Sequence, residues 1–297
     1  MKCVACKRPA QVKIIWPFCR DCFLRHYERR VERVIKRYSL IEAGDRILVC
    51  VSGGKDSLSC AHILSKLRKV LKFQMEVLYI DVGISSCTNE RTQEIVRAFC
   101  EERDVALHIF RFSDFFSFSL EEASRKLRRK LCSLCGAFKR YTFNRFAREN
   151  NFNKIATGHC ADDAVRFFFK NWFSGNFSWI DKLKPHTASN HSKLVERIRP
   201  LFETLEEENL LYTQFNHIVV AGCSRCSYFL RKDKWNGVLK VMEEKRPGFK
   251  LDFVRSLSRV RFFLKENKTL KECSLCGEPT DQDICSVCRI KQCFTLS

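Results

Sequence analysis

The apolar run RILVCV at Arg46–Val51 passes directly into SGGKDS and then into the amphipathic stretch LSCAHILSKL, an order that leaves the chain little choice of fold. A β-type run, a glycine turn and a helical pattern make a strand–turn–helix unit. Ser52, Gly53 and Gly54 let backbone N–H groups converge on the positive end of a helix starting near Asp56 and Ser57, which is an anion cradle. The Walker A pattern fails, because Val49 stands where its first glycine belongs and Asp56 stands where Ser or Thr should follow Lys55. An ordinary strand–helix turn capped by Asp56 or Ser57 is the bland alternative, but the whole SGGKDS string is more specific than a lone glycine pair.

The same alternation continues along the chain. Strands are expected at Arg46–Val51, Glu76–Ile80, Ala106–Phe110, Lys154–Thr157 and His217–Ala221, with helices near 57–70, 90–103, 119–131, 136–150, 161–174 and 204–215. Strand–helix alternation with right-handed crossovers predicts an α/β fold, a doubly wound and mostly parallel sheet of Rossmann-like type. The expected division is 1–38, an N-terminal module and helix; 39–265, the catalytic domain; and 266–297, a C-terminal module. The polar stretch 182–193 reads as a mobile loop.

Cysteine is unusually abundant, 18 in 297 residues, and much of it falls in CxxC pairs. The stretch MKCVACKRPAQ has no apolar core of the kind an export signal needs, and no apolar run approaches the ~18–20 residues of a membrane span. A cytoplasmic protein with no membrane partner is expected, and in a reducing compartment such pairs hold metal more often than disulfides. Cys3, Cys6, Cys19 and Cys22 form one set, and Cys273, Cys276, Cys285 and Cys288 another. Four thiolates in two tight turns close a tetrahedron around Zn2+ with no open position, so two structural zinc ions are expected. Two further pairs lie inside the chain, Cys132 with Cys135 and Cys223 with Cys226.

ATGHCADDAVRFF repeats the strand-end, helix-start arrangement. Parallel strands open their carboxyl ends on one edge, so this segment should face the glycine turn. Asp162 and Asp163 can then hold Mg2+, although two acids in a first turn also simply complement the helix dipole. The charge is 54 Lys and Arg against 34 Asp and Glu, a net of +20, which points to a polyanionic partner. Residues 123–145 carry Arg125, Lys126, Arg128, Arg129, Lys130, Lys139, Arg140 and Arg145 with no acid, and the first 40 residues add 11 bases against 3 acids. A solvated helix face is the bland reading; phosphate contacts to RNA are the sharper one, with Tyr141 and Phe143 available to stack on an extruded base.

In this order SGGKDS, CSLCGAFKRY, GHCADD, Cys223 and the two terminal modules resemble the PP-loop ATP pyrophosphatase superfamily, and within it the tRNA thiolation family, in the branch that makes 2-thiouridine at position 54. The likeness runs along essentially the whole chain, and EEKRPGFKLDFVRSL also resembles that branch rather than the wobble-uridine one. The resemblance implies a tRNA sulfurtransferase. ATP would lie on Ser52, Gly53, Gly54, Lys55, Asp56, Ser57, Asp81, Gly158, Asp162 and Asp163. Cys132, Cys135 and Cys223 would hold a [4Fe–4S] cluster whose open iron carries sulfur, with Asp162 and Lys139 completing the catalytic set. Arg125, Lys126, Arg128, Arg129, Lys130 and Arg140 would meet tRNA. It also implies a thiocarboxylated ubiquitin-like sulfur carrier and a homodimer.

The uridine 2-carbonyl oxygen would be adenylated, releasing pyrophosphate, and AMP would leave as sulfur replaces it. Cys226 offers a fourth thiol that would close the cluster, and a structural zinc or a redox-active disulfide or persulfide are other uses of the central cysteines. Rival readings are a wobble-uridine or cytidine thiolase, a noncatalytic zinc-stapled RNA-binding protein, and an amidating enzyme of the same superfamily.

Overall fold

A computed structural model of the chain describes residues 1–84, 90–180, 184–221, 234–260 and 270–295. The N-terminal hairpin of β1 (Val12–Lys13) and β2 (Pro17–Phe18) leads into α1 (Arg20–Arg37). The body then runs β3 (Arg46–Val51), α2 (Lys55–Leu71), β4 (Gln74–Asp81), α3 (Glu90–Glu102), β5 (Leu107–Arg111), α4 (Leu120–Lys126), α5 (Leu131–Glu149), β6 (Lys154–Thr157), α6 (Ala161–Phe173) and α7 (Phe177–Ile180). It continues with β7 (His186–Thr187), β8 (Glu196–Ile198), α8 (Glu206–Phe215), α9 (Lys234–Lys245) and α10 (Phe249–Leu257). A second hairpin, β9 (Lys271–Glu272) and β10 (Pro279–Thr280), and α11 (Ser286–Thr295) complete the described chain.

The central sheet has six strands in the order β5-β4-β3-β6-β8-β7, parallel throughout except for β7. Burial on both faces explains the near-continuous apolar character of β3. Ile47, Val49 and Val51 enter one core with α1 and α2, whereas Leu48 and Cys50 enter the other with α5 and the C-terminal module. Helix α1 keeps its apolar stripe inward, with Phe23, Tyr27, Val31, Val34 and Ile35 all buried. Both terminal modules therefore share a core with the sheet: Cys3, Cys19 and Cys22 on one side, Cys273, Cys285 and Cys288 on the other.

One expected strand is not a strand. His217–Ala221 runs outside the sheet, His217 turns through φ +56°, and the Ala221 N–H donates to the Gly53 carbonyl at 2.8 Å. The sheet position next to β6 belongs instead to β8, a short polar strand in register through Arg197 with Ile155. Part of the stretch expected to be a loop is β7, antiparallel to β8. Helix α5 begins five residues earlier than its pattern suggests, at Leu131, so Cys132 and Cys135 lie in its first turn. The break before it falls at Arg128, whose φ is +49°.

Candidate active site

The carboxyl ends of β3, β4 and β6 bring most of the expected residues to one rim. Ser52–Gly54 leave β3, Gly54 is the N-cap of α2, and that helix has no side-chain cap to occupy its first N–H groups. They stay open for an anion. The loop is held from below: the Ser52 N–H donates to Ser57 Oγ at 3.1 Å, and Ser57 Oγ donates to the Gly54 carbonyl at 3.0 Å. Gly53 has φ +78°, and a Cβ there would come within 2.7 Å of Thr92 Cγ2 and 3.1 Å of Ala221 Cβ. Only glycine fits that turn without a shift in its surroundings. At the end of β4, Asp81 accepts the Gly83 N–H at 2.9 Å.

Gly158 fastens the second motif to the first. A side chain there would meet the Asp56 carbonyl oxygen at 2.6 Å and Ser57 Cα at 2.8 Å, so the end of β6 lies directly on the start of α2. Asp56 is paired twice, accepting from Lys55 Nζ at 2.8 Å and from Asn209 Nδ2 at 2.8 Å. Burial pushes the Asp56 carboxyl above its ordinary value even so; burial also works against the Lys55 charge, but Asp56 beside it keeps the lysine pKa raised. Asn209 in turn accepts the buried Tyr27 hydroxyl at 2.7 Å. A continuous path thus runs from α1, in the N-terminal module, to the loop. No motif marks Asn209; the packing of α8 against α2 brings it there.

The two adjacent acids have different environments. Asp162 is buried, accepting the Glu206 N–H at 2.8 Å and Lys250 Nζ at 2.5 Å, and its charge keeps the Lys250 pKa raised against the burial that would lower it. Asp163 is the more open, with its side chain 33% exposed; it accepts the Cys160 N–H at 3.1 Å and stands 4.0 Å from Arg166. His159, within the second motif, is exposed, and its Nδ1 shares a hydrogen bond with Thr157 Oγ1 at 2.8 Å. Desolvation lowers its pKa, Asp163 opposes that, and Arg199 and Arg197 add to it.

A helix that precedes a parallel strand runs against it, so α5, ahead of β6, starts at the carboxyl rim. Cys132 and Cys135 lie three residues apart on its first turn, both half-buried, with no acid in that turn and no side-chain N-cap. A helix N-terminus favours thiolate over thiol. Cys223 and Cys226 lie outside the described residues. Arg140 follows on the same helix, one residue beyond Lys139. The charges of Lys139 and Arg197 both act on the buried Cys50 thiol, whose pKa burial drives upward. Arg125, Lys126, Arg128, Arg129 and Lys130, just upstream of α5, are all exposed. Tyr141 and Phe143 instead pack against the core that α5 shares with the C-terminal module.

Each terminal cysteine set brings its four sulfurs within 4.8 Å of one another. A tetrahedral site with metal–sulfur bonds of about 2.3 Å needs sulfur pairs about 3.8 Å apart. Cys6 and Cys19 stand at 3.6 Å, and Cys276 and Cys285 at 3.8 Å. Burial raises the Cys3 pKa, but backbone N–H donors at Cys19, Cys6 and Ala5 outweigh it and bring the thiol down to about 6. The equivalent donors at Cys285, Leu275 and Cys276 bring Cys273 to about 6 against its burial. Both sets fit a metal ion bound by thiolates.

Residues 24–220 match the model of a PP-loop domain family. The chain is 37% identical to the tRNA-5-methyluridine(54) 2-sulfurtransferase of Pyrococcus horikoshii, over 97% of this chain and 93% of that one. It is 33% identical to the protein of the same name from Thermotoga maritima, over 98% and 96%. Among solved structures it resembles the U34-tRNA thiolase NcsA from Methanococcus maripaludis with its [4Fe–4S] cluster, at TM-score 0.80 and 25% identity, covering 98% of this chain and 96% of that one. Matched along nearly its whole length, and carrying the loop, the paired acids and both cysteine sets in place, the chain belongs to the PP-loop family in the group of the tRNA-5-methyluridine(54) 2-sulfurtransferases.

Proposed function

We propose that the protein is an ATP-dependent tRNA sulfurtransferase that replaces the 2-oxygen of the uridine at position 54 with sulfur. The observation that carries this reading is the contact of Gly158 with Asp56, which joins the anion loop and the paired acids into one rim, with the cysteine turn of α5 opening on the same edge. The N–H groups of Gly53, Gly54 and Lys55, the Lys55 ammonium and the Ser52 and Ser57 hydroxyls receive the triphosphate, while Asp81 meets the adenosine. Asp163, the more open acid, or Asp162 on release of Lys250, holds Mg2+.

The uridine O2 attacks the α-phosphorus, the bond to the β-phosphate oxygen breaks, and pyrophosphate leaves. Sulfur then attacks C2 and the C2–O bond breaks to release AMP, so a poor leaving oxide has become a good one. Lys139 stabilises the charge that develops. Cys132 and Cys135, with Cys223, suit a [4Fe–4S] cluster, which would supply an iron site able to carry sulfide. Zinc is the metal proposed for both terminal sets, which staple modules 1–38 and 266–297 to the catalytic unit 39–265. A thiocarboxylated ubiquitin-like carrier as sulfur source, a homodimer and a cytoplasmic setting complete the proposal. Among the described residues no helix is long and apolar enough to cross a membrane.

The test is an anaerobic reaction of the metal-loaded protein with tRNA, ATP and sulfide, read by nucleoside mass spectrometry. Thiolated uridine mapped to position 54 is expected. Thiolation confined to position 34 would transfer the reading to the wobble-uridine chemistry named for the Methanococcus neighbour, and thiolation nowhere would remove it.

A further inference from the structure

We propose that Arg140, Arg197 and Arg199 form a phosphate subsite on the α5 side of the rim, which takes a backbone phosphodiester of the tRNA beside the target nucleotide. The proposal rests on the tRNA thiolation reading above and adds Arg197 and Arg199, which the basic stretch 123–145 does not contain, to Arg140, which it does.

Strand alternation places the pair. Ile198, between the two β8-region arginines, packs into the α1/α2 core, so Arg197 and Arg199 point to the opposite face, that of α5. Arg197 is in register with Ile155, which belongs to the α5-side core. From α5, Arg140 reaches the same region and its charge acts on Arg197.

Among the described residues these arginines lack the acidic partner that the buried Arg30 and Arg166 and the half-buried Arg148 have. Arg30 pairs with Glu208 at 2.7 Å, Arg166 with Glu206 at 2.9 Å, and Arg148 Nη1 meets Glu278 at 3.0 Å. Among the described residues Arg199 has only neutral oxygens, Thr187 Oγ1 at 3.0 Å and the Lys184 carbonyl. Arg140 and Arg197 make no hydrogen bond or ion pair among the described residues. Desolvation lowers the pKa of all three, and mutual repulsion lowers Arg197 and Arg199 further, the latter to about 10. Guanidinium groups gathered without a carboxylate repel one another, and an arriving anion relieves that repulsion; their planar forks match phosphate oxygens.

The position selects the source of that anion. ATP phosphates are served by the N-terminus of α2, which packs on the other face of the sheet. The arginines share their face with the Cys132–Cys135 turn, and the exposed bases Arg125 to Lys130 lead to the same helix. That is a path for a nucleic-acid backbone.

The test uses the full chain, with Arg197→Gln, Arg140→Gln, Arg197→Lys and the remote exposed Lys69→Gln as control, each checked by thermal melting. Binding of tRNA is measured across a salt series and ATP binding by equilibrium dialysis. Arg197→Gln and Arg140→Gln are each expected to weaken tRNA binding about tenfold. Each should also reduce the slope of log affinity against log salt by about 0.7–0.9. ATP affinity should stay at the parental value, Arg197→Lys should recover most of the tRNA affinity, and Lys69→Gln should change neither. Arg140 is exposed on its helix, so its substitution keeps the test valid if Arg197→Gln does not fold. Unchanged tRNA affinity in Arg140→Gln, or loss of ATP affinity with tRNA binding kept, overturns the subsite; the latter assigns it to the diphosphate of ATP. A parent chain that binds no tRNA removes the thiolation reading itself, a distinguishable outcome.

Discussion

Gly158 touches the backbone of Asp56 so closely that a Cβ at 158 would lie 2.6 Å from the Asp56 carbonyl oxygen. That contact sets the spacing between the anion loop and the acid pair, because neither the end of β6 nor the first turn of α2 can move without the other. Substrate geometry at the rim is therefore built into backbone packing rather than into flexible side chains.

Gly158→Ala must push the two segments apart. Overpacking of this kind costs about 1–3 kcal/mol, and a shift of the cradle should raise the KM for ATP at least about tenfold. Gly237→Ala, whose added methyl meets nothing within 4 Å, serves as the control: it should leave the KM unchanged and, lying in a helix, should not lower stability. ATP titration with a melting curve checks this, and parental ATP affinity in Gly158→Ala would contradict it.

Asn209 ties Tyr27 to Asp56 through two hydrogen bonds, at 2.7 and 2.8 Å. Asn209→Ala takes the acceptor from the buried Tyr27 hydroxyl and removes one of the two donors to Asp56, which keeps Lys55, a loss of about 1–3 kcal/mol. Tyr27→Phe removes only the hydroxyl and should cost less. The expected kinetic signature is a raised KM for ATP in Asn209→Ala with a smaller change in kcat, because the residue positions the loop without touching the reaction. Equal KM in variant and parent would show that the path from α1 does not hold the loop.

Metal content follows from the cysteine geometry. Anaerobic purification should yield about two zinc ions and about four irons per chain. Cys19→Ser should lose one zinc and lower the melting temperature, because Cys19 lies in the core beneath α1. Full stability after its zinc is removed would contradict a structural role.

Much of the fold was readable because burial wrote itself into composition. The strands Arg46–Val51 and Lys154–Thr157 are observed with the boundaries expected from their apolar runs. Strand β8 was hidden for the opposite reason: Glu196 and Arg197 make it polar, since Arg197 faces the rim. The run IVV at 218–220 looks like a strand yet covers the loop, and nothing local distinguishes the two uses. Gly136 concealed the start of α5, and with it the placing of Cys132 and Cys135 in a first helical turn. Asp162 could be found from its motif, but its salt bridge to Lys250, 88 residues away, could not.

Stability should depend on His62. Burial, with help from Arg103 and Lys66, lowers its pKa from 6.5 to about 4, and its Nδ1 accepts from Arg103 Nε at 2.9 Å. Between those values the unfolded chain holds a proton that the folded chain does not, so stability rises with pH there. The contribution is complete above about pH 6.5 and is lost as pH falls toward 4, amounting to about 2 kcal/mol after allowance for partial solvent access. His26, also lowered to about 4 by burial first and by Arg30 and Arg33, acts in the same direction. Denaturant melts from pH 7.5 to 4.5 should therefore show a shallower loss in His62→Gln, which retains an acceptor for Arg103, than in the parent. Identical slopes would refute the assignment.

The central claim, that activation by ATP and delivery of sulfur occur at one rim through different residues, is tested most directly by Cys132→Ala. Pyrophosphate and thiolated tRNA are measured together, anaerobically, with parent and variant. The parent is expected to form both. The variant should bind tRNA as the parent does and still release pyrophosphate in its presence, yet transfer no sulfur. Thiolation by Cys132→Ala at the parental rate would contradict the account.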